Sequence, residues 1–238
     1  MKLSSVSIAA NLARVRERIA AAARRAGRNS DSVALMAVTK TFGADRIHEA
    51  HAAGLRLFGE NRVQEFAAKA DAVRTLAGAC WHLIGHLQSN KAARAAELFD
   101  AVDTVDSLRL ARKLNAAAEE RGTPLPALIE INLGDEAAKS GVAPDSKELE
   151  DILYAAPQLE ALKILGLMAI PPFAAHPQDS RPHFRRLREL RDQLAARKLP
   201  AIATDILSMG MSHDFEIAIE EGSTCIRLGT AIFGERQT

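Results

Sequence analysis

Two kinds of segment alternate along the whole chain. Short apolar segments rich in β-branched residues are followed by longer segments in which apolar residues recur every three or four positions. The first pattern is typical of buried strands, and the second is typical of amphipathic helices. Because parallel strands need a crossover connection between them, this alternation predicts a parallel sheet with a helix after each strand.

The pattern contains eight candidate strands, separated by seven candidate helices and preceded by a leading helix over residues 7–26, which Gly27 caps. The strands are predicted at residues 33–38, 55–58, 81–84, 101–105, 127–132, 162–170, 206–208 and 224–228. This number of strands in about 200 residues is typical of a closed (β/α)8 TIM barrel. The competing fold, an open doubly wound α/β sheet, normally uses fewer strands.

No linker rich in Pro, Gly or Ser divides the sequence. We therefore expect residues 1–238 to form a single domain, in which residues 1–27 carry the leading helix ahead of the barrel. The barrel needs no partner to close, so a monomer is expected.

Charge and composition exclude several classes of protein. The 31 Lys and Arg residues balance 30 Asp and Glu residues, so no strong overall field attracts nucleic acid or an anionic membrane. The longest apolar run, residues 164–175, is too short to span a bilayer and is interrupted by Pro171 and Pro172. Cys80 and Cys225 are far apart and belong to no metal-binding motif. We expect a cytoplasmic protein without a signal peptide, a metal or a nucleic-acid partner.

Lys40 directly follows the first predicted strand. In a barrel the loops after the strands gather on one face, where active sites lie. A partly desolvated lysine there has a lowered pKa, and its neutral amine can attack a carbonyl carbon to form a Schiff base. This signal fits a pyridoxal phosphate (PLP) site and a Schiff-base aldolase equally well, and a solvated lysine is the plain alternative.

Two glycine-containing turns follow the last two strands. The first contains Ser208, Met209 and Gly210, and the second contains Gly229 and Thr230. Such turns present backbone N–H groups that can bind an anion, and the phosphate sites of these barrels commonly lie on the loops after strands seven and eight. Ordinary turn chemistry explains either loop alone, but the two loops together with Lys40 favour a phosphate ligand.

Arg227 lies within the last predicted strand, on the face opposite to Ile226 and Leu228. An arginine inside a barrel needs an acceptor, since burying it unpaired is costly. The acceptor is either a carboxylate such as Glu60 or the pyridine nitrogen of PLP. Glu60 and Asn61 either orient a ligand or cap the helix that follows them.

Other polar residues have weaker signals. His82 and His86 face the same way but are too far apart to chelate one metal ion, and His86 is nearer the expected mouth of the barrel. Lys139, in the long loop after the fifth strand, is either a second reactive amine, an anion ligand or a solvated lysine.

Several motifs, taken in order along the chain, resemble those of a known protein family. They are residues 38–41 (VTKT), 59–65 (GENRVQE), 81–91 (WHLIGHLQSNK), 139–142 (KSGV), 166–170 (GLMAI), 208–212 (SMGMS) and 227–234 (RLGTAIFG). The sequence resembles the pyridoxal phosphate homeostasis protein family over residues 33–235. The resemblance implies a modified TIM barrel like the N-terminal domain of alanine racemase.

The resemblance also implies a site. PLP would form a Schiff base with Lys40, Arg227 would face its pyridine nitrogen, and Asn61 would lie nearby. The phosphate would be bound by the loops that carry Ser208, Met209, Gly210, Gly229 and Thr230. The family is described as binding PLP in vitamin B6 homeostasis without an established enzymatic activity.

Catalysis by such a site would need a second acid–base group. In alanine racemase, to which the barrel is similar, that group is a tyrosine on a separate C-terminal domain, which we expect this chain to lack. The only tyrosine, Tyr154, is predicted to face away from the mouth. We therefore expect a PLP carrier that can supply PLP-dependent acceptor enzymes. A weak amino-acid racemase and a Schiff-base aldolase without PLP are the alternatives.

Overall fold

The computed structural model describes residues 7–134 and 140–235. Eight parallel strands close a barrel in sequence order, which confirms the predicted (β/α)8 TIM barrel. The strands are β1 (Ala34–Val38), β2 (Leu57–Glu60), β3 (Cys80–Leu83), β4 (Ala101–Val105), β5 (Leu125–Glu130), β6 (Leu162–Met168), β7 (Ile202–Ser208) and β8 (Cys225–Leu228).

Helices follow the strands on the outside of the barrel. They are α1 (Ile8–Arg25), α2 (Ala44–Ala52), α3 (Val63–Ala67), α4 (Ala70–Val73), α5 (Ala92–Leu98), α6 (Leu108–Arg121), α7 (Lys147–Ala155), α8 (Arg181–Arg197), α9 (Phe215–Glu220) and α10 (Thr230–Phe233). Within the described ranges, no helix is long and apolar enough to cross a membrane.

Apart from the start of β7, all strand ends lie within two residues of their predicted positions, and two larger differences occur. The seventh strand begins at Ile202 rather than at residue 206. Its first residues are only partly buried and lack a continuous apolar pattern, so periodicity did not predict them as part of the strand. The segment from Val63 to Val73, in which Val63, Phe66, Ala70 and Val73 recur at the spacing of one continuous helix, is divided into α3 and α4, and Lys69 lies between them. The side chain of Lys69 turns back towards the end of β1, where it donates hydrogen bonds to the carbonyl oxygens of Thr39 and Phe42.

The leading helix α1 covers the outside of the barrel near its last strands. Its N-terminus is capped by Ser7, whose hydroxyl accepts a hydrogen bond from the Ala10 amide. Asn11 on the buried face of α1 donates a 2.8 Å hydrogen bond to the carbonyl of Ile232 in α10. Arg18 lies over the ring of Phe215 in α9. These contacts fix α1 against α9 and α10, the helices that follow β7 and β8.

Most of the apolar core lies between the strands and the outer helices. On one side, Trp81 stacks on Phe58 and packs against Phe66, with ring centroids 4.7 and 4.8 Å apart. A smaller cluster that includes Met36 and Ile84 fills the inside of the barrel. A Cβ atom on Gly59 would lie 2.7 Å from the Met36 sulfur, so β2 carries a glycine where a side chain would clash with the Met36 side chain.

Candidate functional site

Lys40 lies at the carboxyl end of the barrel, where Thr39 connects it to β1. Its neighbour Thr41 has a φ of 68°, a left-handed conformation that is rare for a β-branched residue. Strain of this kind costs about 1–3 kcal/mol and persists where the surrounding structure imposes it, often at functional sites. Here the Thr41 amide donates a hydrogen bond to the carboxylate of Glu65.

A buried ion pair fixes the backbone on the other side of Lys40. The Nζ atom of Lys69 lies 2.8 Å from a carboxylate oxygen of Glu60 and 3.0 Å from the carbonyl oxygen of Thr39. The Thr39 hydroxyl also donates to Glu60. Burial raises the pKa of Glu60 above its usual range, although the positive charge of Lys69 opposes this shift. Sequence reasoning missed Lys69, because its position inside an apparently continuous helix carried no signal.

The loop after β7 has the tight turn that the sequence predicted. Gly210 has a φ of 96°, and a Cβ atom there would lie 2.5 Å from the Cβ atom of Ala218. Only glycine therefore fits, for reasons of both conformation and space. Ser208 and Met209 are fully buried, and the Met209 amide donates to the carbonyl oxygen of Cys225.

The loop after β8 lies beside it, because β7 and β8 pair through Ser208 and Cys225. The hydroxyl oxygen of Ser212 accepts a 3.2 Å hydrogen bond from the Ala231 amide and so ties the two loops together. Among the described residues, the backbone amides of Gly210, Gly229 and Thr230 find no acceptor. Unused amide donors on neighbouring turns are what an anion site requires.

Arg227 is buried inside the barrel, just below these loops. Its two terminal nitrogens donate a 2.7 Å hydrogen bond to the Ser208 hydroxyl and a 2.8 Å hydrogen bond to the Ala169 carbonyl. The suggested pairing with Glu60 is wrong, because Glu60 is paired with Lys69 instead. Burial lowers the pKa of the Arg227 guanidinium, while nearby groups including Asp103 and Glu130 oppose this shift.

Asn61 follows β2 at the same end of the barrel. Its backbone is in close contact with Gly85, where a Cβ atom would lie 2.2 Å from the Asn61 carbonyl oxygen. The alternative that Glu60 or Asn61 caps the next helix is wrong. Helix α3 is preceded by Arg62 and has no side-chain cap.

Glu130 is a further buried carboxylate at the end of β5, which sequence reasoning missed. One of its oxygens accepts a 2.8 Å hydrogen bond from the Ser140 hydroxyl, and the other has no partner among the described residues. Burial raises its pKa above the usual range. An acidic residue within a mostly apolar predicted strand was the signal that could have revealed it. Lys139 lies outside the described residues.

The two histidines of the β3 region have separate partners. His86 lies 3.1 Å from Asp106 in an exposed position, whereas His82 lies 2.9 Å from the buried Asp103. No three metal-ligating side chains converge anywhere in the part of the chain that the structure describes.

Known proteins with similar sequences align with nearly the whole chain. A pyridoxal phosphate homeostasis protein of Aquifex aeolicus is 43% identical over 226 residues, which cover 95% of this chain and 97% of that protein. One of Escherichia coli K12 is 45% identical over 231 residues, which cover 96% and 97%. The chain belongs to the pyridoxal phosphate homeostasis protein family. The family model for the alanine racemase N-terminal domain also matches residues 10–237.

Solved structures in and around the family have the same barrel. The structure of PipY from Synechococcus elongatus with PLP bound has a TM-score of 0.84 and 38% identity, and the match covers 96% of this chain and all of PipY. An alanine racemase of Clostridium difficile has a TM-score of 0.73 at 14% identity, with 57% of its own length covered. This second likeness shows the fold alone.

Proposed function

We propose that this member of the family binds PLP at the carboxyl end of the barrel, with Lys40 as its point of covalent attachment, and serves PLP homeostasis. One observation carries the proposal. Strands β7, β8 and β1 are consecutive neighbours in the barrel, so the two loops with unused amide donors lie beside the strand that leads to Lys40. The PLP-bound structure of PipY and the names of the relatives support the same assignment.

The residues present fit the cofactor group by group. The amides of Gly210, Gly229 and Thr230 would bind the phosphate, because a phosphate dianion needs several donors and no bulky neighbour. The tight packing at Gly210 keeps the backbone close to that position. Ser208 and Met209 set the start of this loop, and Asn61 lies at the same mouth.

Arg227 would face the pyridine nitrogen of the ring. Ser208 and the Ala169 carbonyl fix its guanidinium. No carboxylate among the described residues bonds to it directly, which leaves it a strong hydrogen-bond donor. When bound, PLP supplies an aldehyde that condenses reversibly with a primary amine, and an electron-withdrawing ring. A donor at the pyridine nitrogen keeps that nitrogen unprotonated, which weakens the ring as an electron sink.

An unprotonated pyridine nitrogen favours binding of the cofactor without catalytic turnover of an amino acid. Tyr154 is 85% exposed on the outer helix α7, so it serves no reaction at the mouth. We propose a cytoplasmic, monomeric carrier that keeps the reactive aldehyde bound and releases it to PLP-dependent enzymes.

A comparison of PLP with pyridoxal, which lacks the phosphate, tests the proposal. Titrations followed by absorption should show PLP binding at least about tenfold more tightly than pyridoxal, because several charge-assisted hydrogen bonds are lost with the phosphate. Lys40→Ala should lose the visible band of the covalent linkage but keep the preference for PLP in equilibrium dialysis. Lys113→Ala, on the outer helix α6, is the matched control. Equal affinity for PLP and pyridoxal would contradict the phosphate site.

A further inference from the structure

A cavity opens at the end of the barrel opposite to Lys40. It has a volume of about 110 Å³, and several of the residues that line it are the first residues of their strands, including Ala34 of β1, Leu57 of β2 and Ala101 of β4. The cavity therefore lies at the amino-terminal end, away from Lys40 and the two glycine loops. Ala34 is exposed, so the cavity is open to solvent on that side.

The lining is mostly apolar. Leu57, Leu128, Leu165 and Ile206 surround the space together with small side chains at Ala34 and Ala101. Cys225 also lines it, and burial raises the pKa of this thiol to about 12, so the thiol stays neutral. A cavity with such walls gains free energy by binding an apolar body.

Three of the lining residues are polar, namely His82, Asp103 and Thr224. Asp103 lines the cavity from the middle of β4 and is 1% exposed. One of its carboxylate oxygens lies 2.9 Å from Nδ1 of His82, but the other has no hydrogen-bond partner among the described residues. A buried carboxylate oxygen without a donor is costly, and a ligand that brings a donor recovers that cost.

The charge of Asp103 is already compensated. Burial lowers the pKa of His82, but the charge of Asp103 and hydrogen bonds with Asp103 and Cys80 outweigh burial and raise it to about 10. His82 is therefore an imidazolium at neutral pH, and it forms a neutral pair with Asp103. A ligand for this cavity needs a hydrogen-bond donor but no positive charge.

We propose that the cavity at the amino-terminal end of the barrel is a second binding site, for a small neutral molecule with an apolar body and one N–H or O–H donor directed at Asp103. The site is separate from the cofactor site, and its size suits about five or six non-hydrogen atoms. The described residues place no metal-binding cluster there, so the donor has to come from the ligand itself.

Pyrrole and furan are matched probes for this site. They are five-membered rings of nearly equal size, and only pyrrole carries an N–H donor. Calorimetric titration of the full chain should show pyrrole binding at least about tenfold more tightly than furan, since hydrogen bonds to charged groups are among the stronger ones. Equal affinity for the two rings, or no binding of pyrrole, would overturn the proposal.

Two variants test whether pyrrole binds in this cavity. Ala101→Leu fills the cavity from β4, and Ala34→Phe blocks its open side from an exposed position that costs no core packing. Both should abolish pyrrole binding while PLP binding is unchanged. Should Ala101→Leu fail to fold, Ala34→Phe decides alone. Pyrrole binding that survives Ala34→Phe with unaltered affinity would place the ring elsewhere and overturn the proposal.

Discussion

At the scale of single residues, the backbone at Gly210 leaves little room for a side chain. Its φ of 96° and the 2.5 Å approach of a Cβ atom to Ala218 would both penalise a side chain. We expect Gly210→Ala to lower the free energy of unfolding by about 2–4 kcal/mol, from strain and overpacking together. It should also weaken PLP binding, since the loop that carries the amide would shift. Chemical denaturation and PLP titration measure the two effects.

Gly27→Ala is the matched control for this substitution. Gly27 has a φ of 65° but no atom within 4 Å of a Cβ position, and it follows the leading helix rather than a barrel strand. The control should cost only about 1 kcal/mol and leave PLP affinity unchanged. If Gly210→Ala were no more harmful than Gly27→Ala, the tight packing of the loop would be refuted.

Residues with local signals were predictable from the sequence, and residues defined by distant partners were not. The positions of Lys40 at a strand end and Gly210 in a turn follow from neighbours in the chain. Glu60 was the wrong carboxylate partner for Arg227, because the acceptor that a buried arginine meets depends on how the strands are arranged around the barrel. The roles of the site residues towards PLP stay predictions.

At the scale of elements, the connection after β1 depends on the ion pair of Lys69 with Glu60. Lys69→Met leaves a buried carboxylate without its partner and should lower the free energy of unfolding by about 3 kcal/mol. The double variant Glu60→Gln, Lys69→Met removes the charge as well and should recover most of that loss. Denaturant titrations of the three proteins provide the comparison. A single variant as stable as the wild type would show that the pair does not hold this segment.

The pairing of β3 with β4 introduces a pH dependence. The pKa of His82 is raised from 6.5 to about 10 in the folded protein, so the folded state binds this proton more tightly than the unfolded state. The resulting stabilisation is complete below pH 6.5 and is lost as the pH rises from there through about 10. Thermal unfolding across this range should show falling stability in the wild type, and His82→Gln should show a smaller decline. Identical slopes would contradict the charged pair.

Hydrophobic periodicity predicted whether each element is a helix or a strand, but it did not predict where an element is interrupted. The strand at residues 101–105 matches its prediction, because polar residues that favour turns lie on both sides of it. The break between α3 and α4 was not predicted, because the hydrogen bonds of Lys69 that accompany it reach back to Thr39 and Phe42. Such long-range contacts leave no periodic trace in the sequence.

At the scale of the whole molecule, an alanine racemase has the same barrel, a likeness that shows the fold alone. We expect no D-alanine at turnover rates when the PLP-loaded protein is incubated with L-alanine and the products are separated by chiral chromatography. The reasons for this expectation are the proposed contact of Arg227 with the pyridine nitrogen and the outward position of Tyr154. Sustained D-alanine formation that disappears in Lys40→Ala would establish a racemase instead.

The most direct test of the account is borohydride reduction of the PLP-loaded protein, followed by peptide mapping. The absorption band of the covalent linkage should disappear on reduction, and a pyridoxyl group should be found on the peptide that contains Lys40. A label on Lys91 or Lys139 instead, or no visible band even after PLP is added, would contradict the assignment of the cofactor to the end of β1.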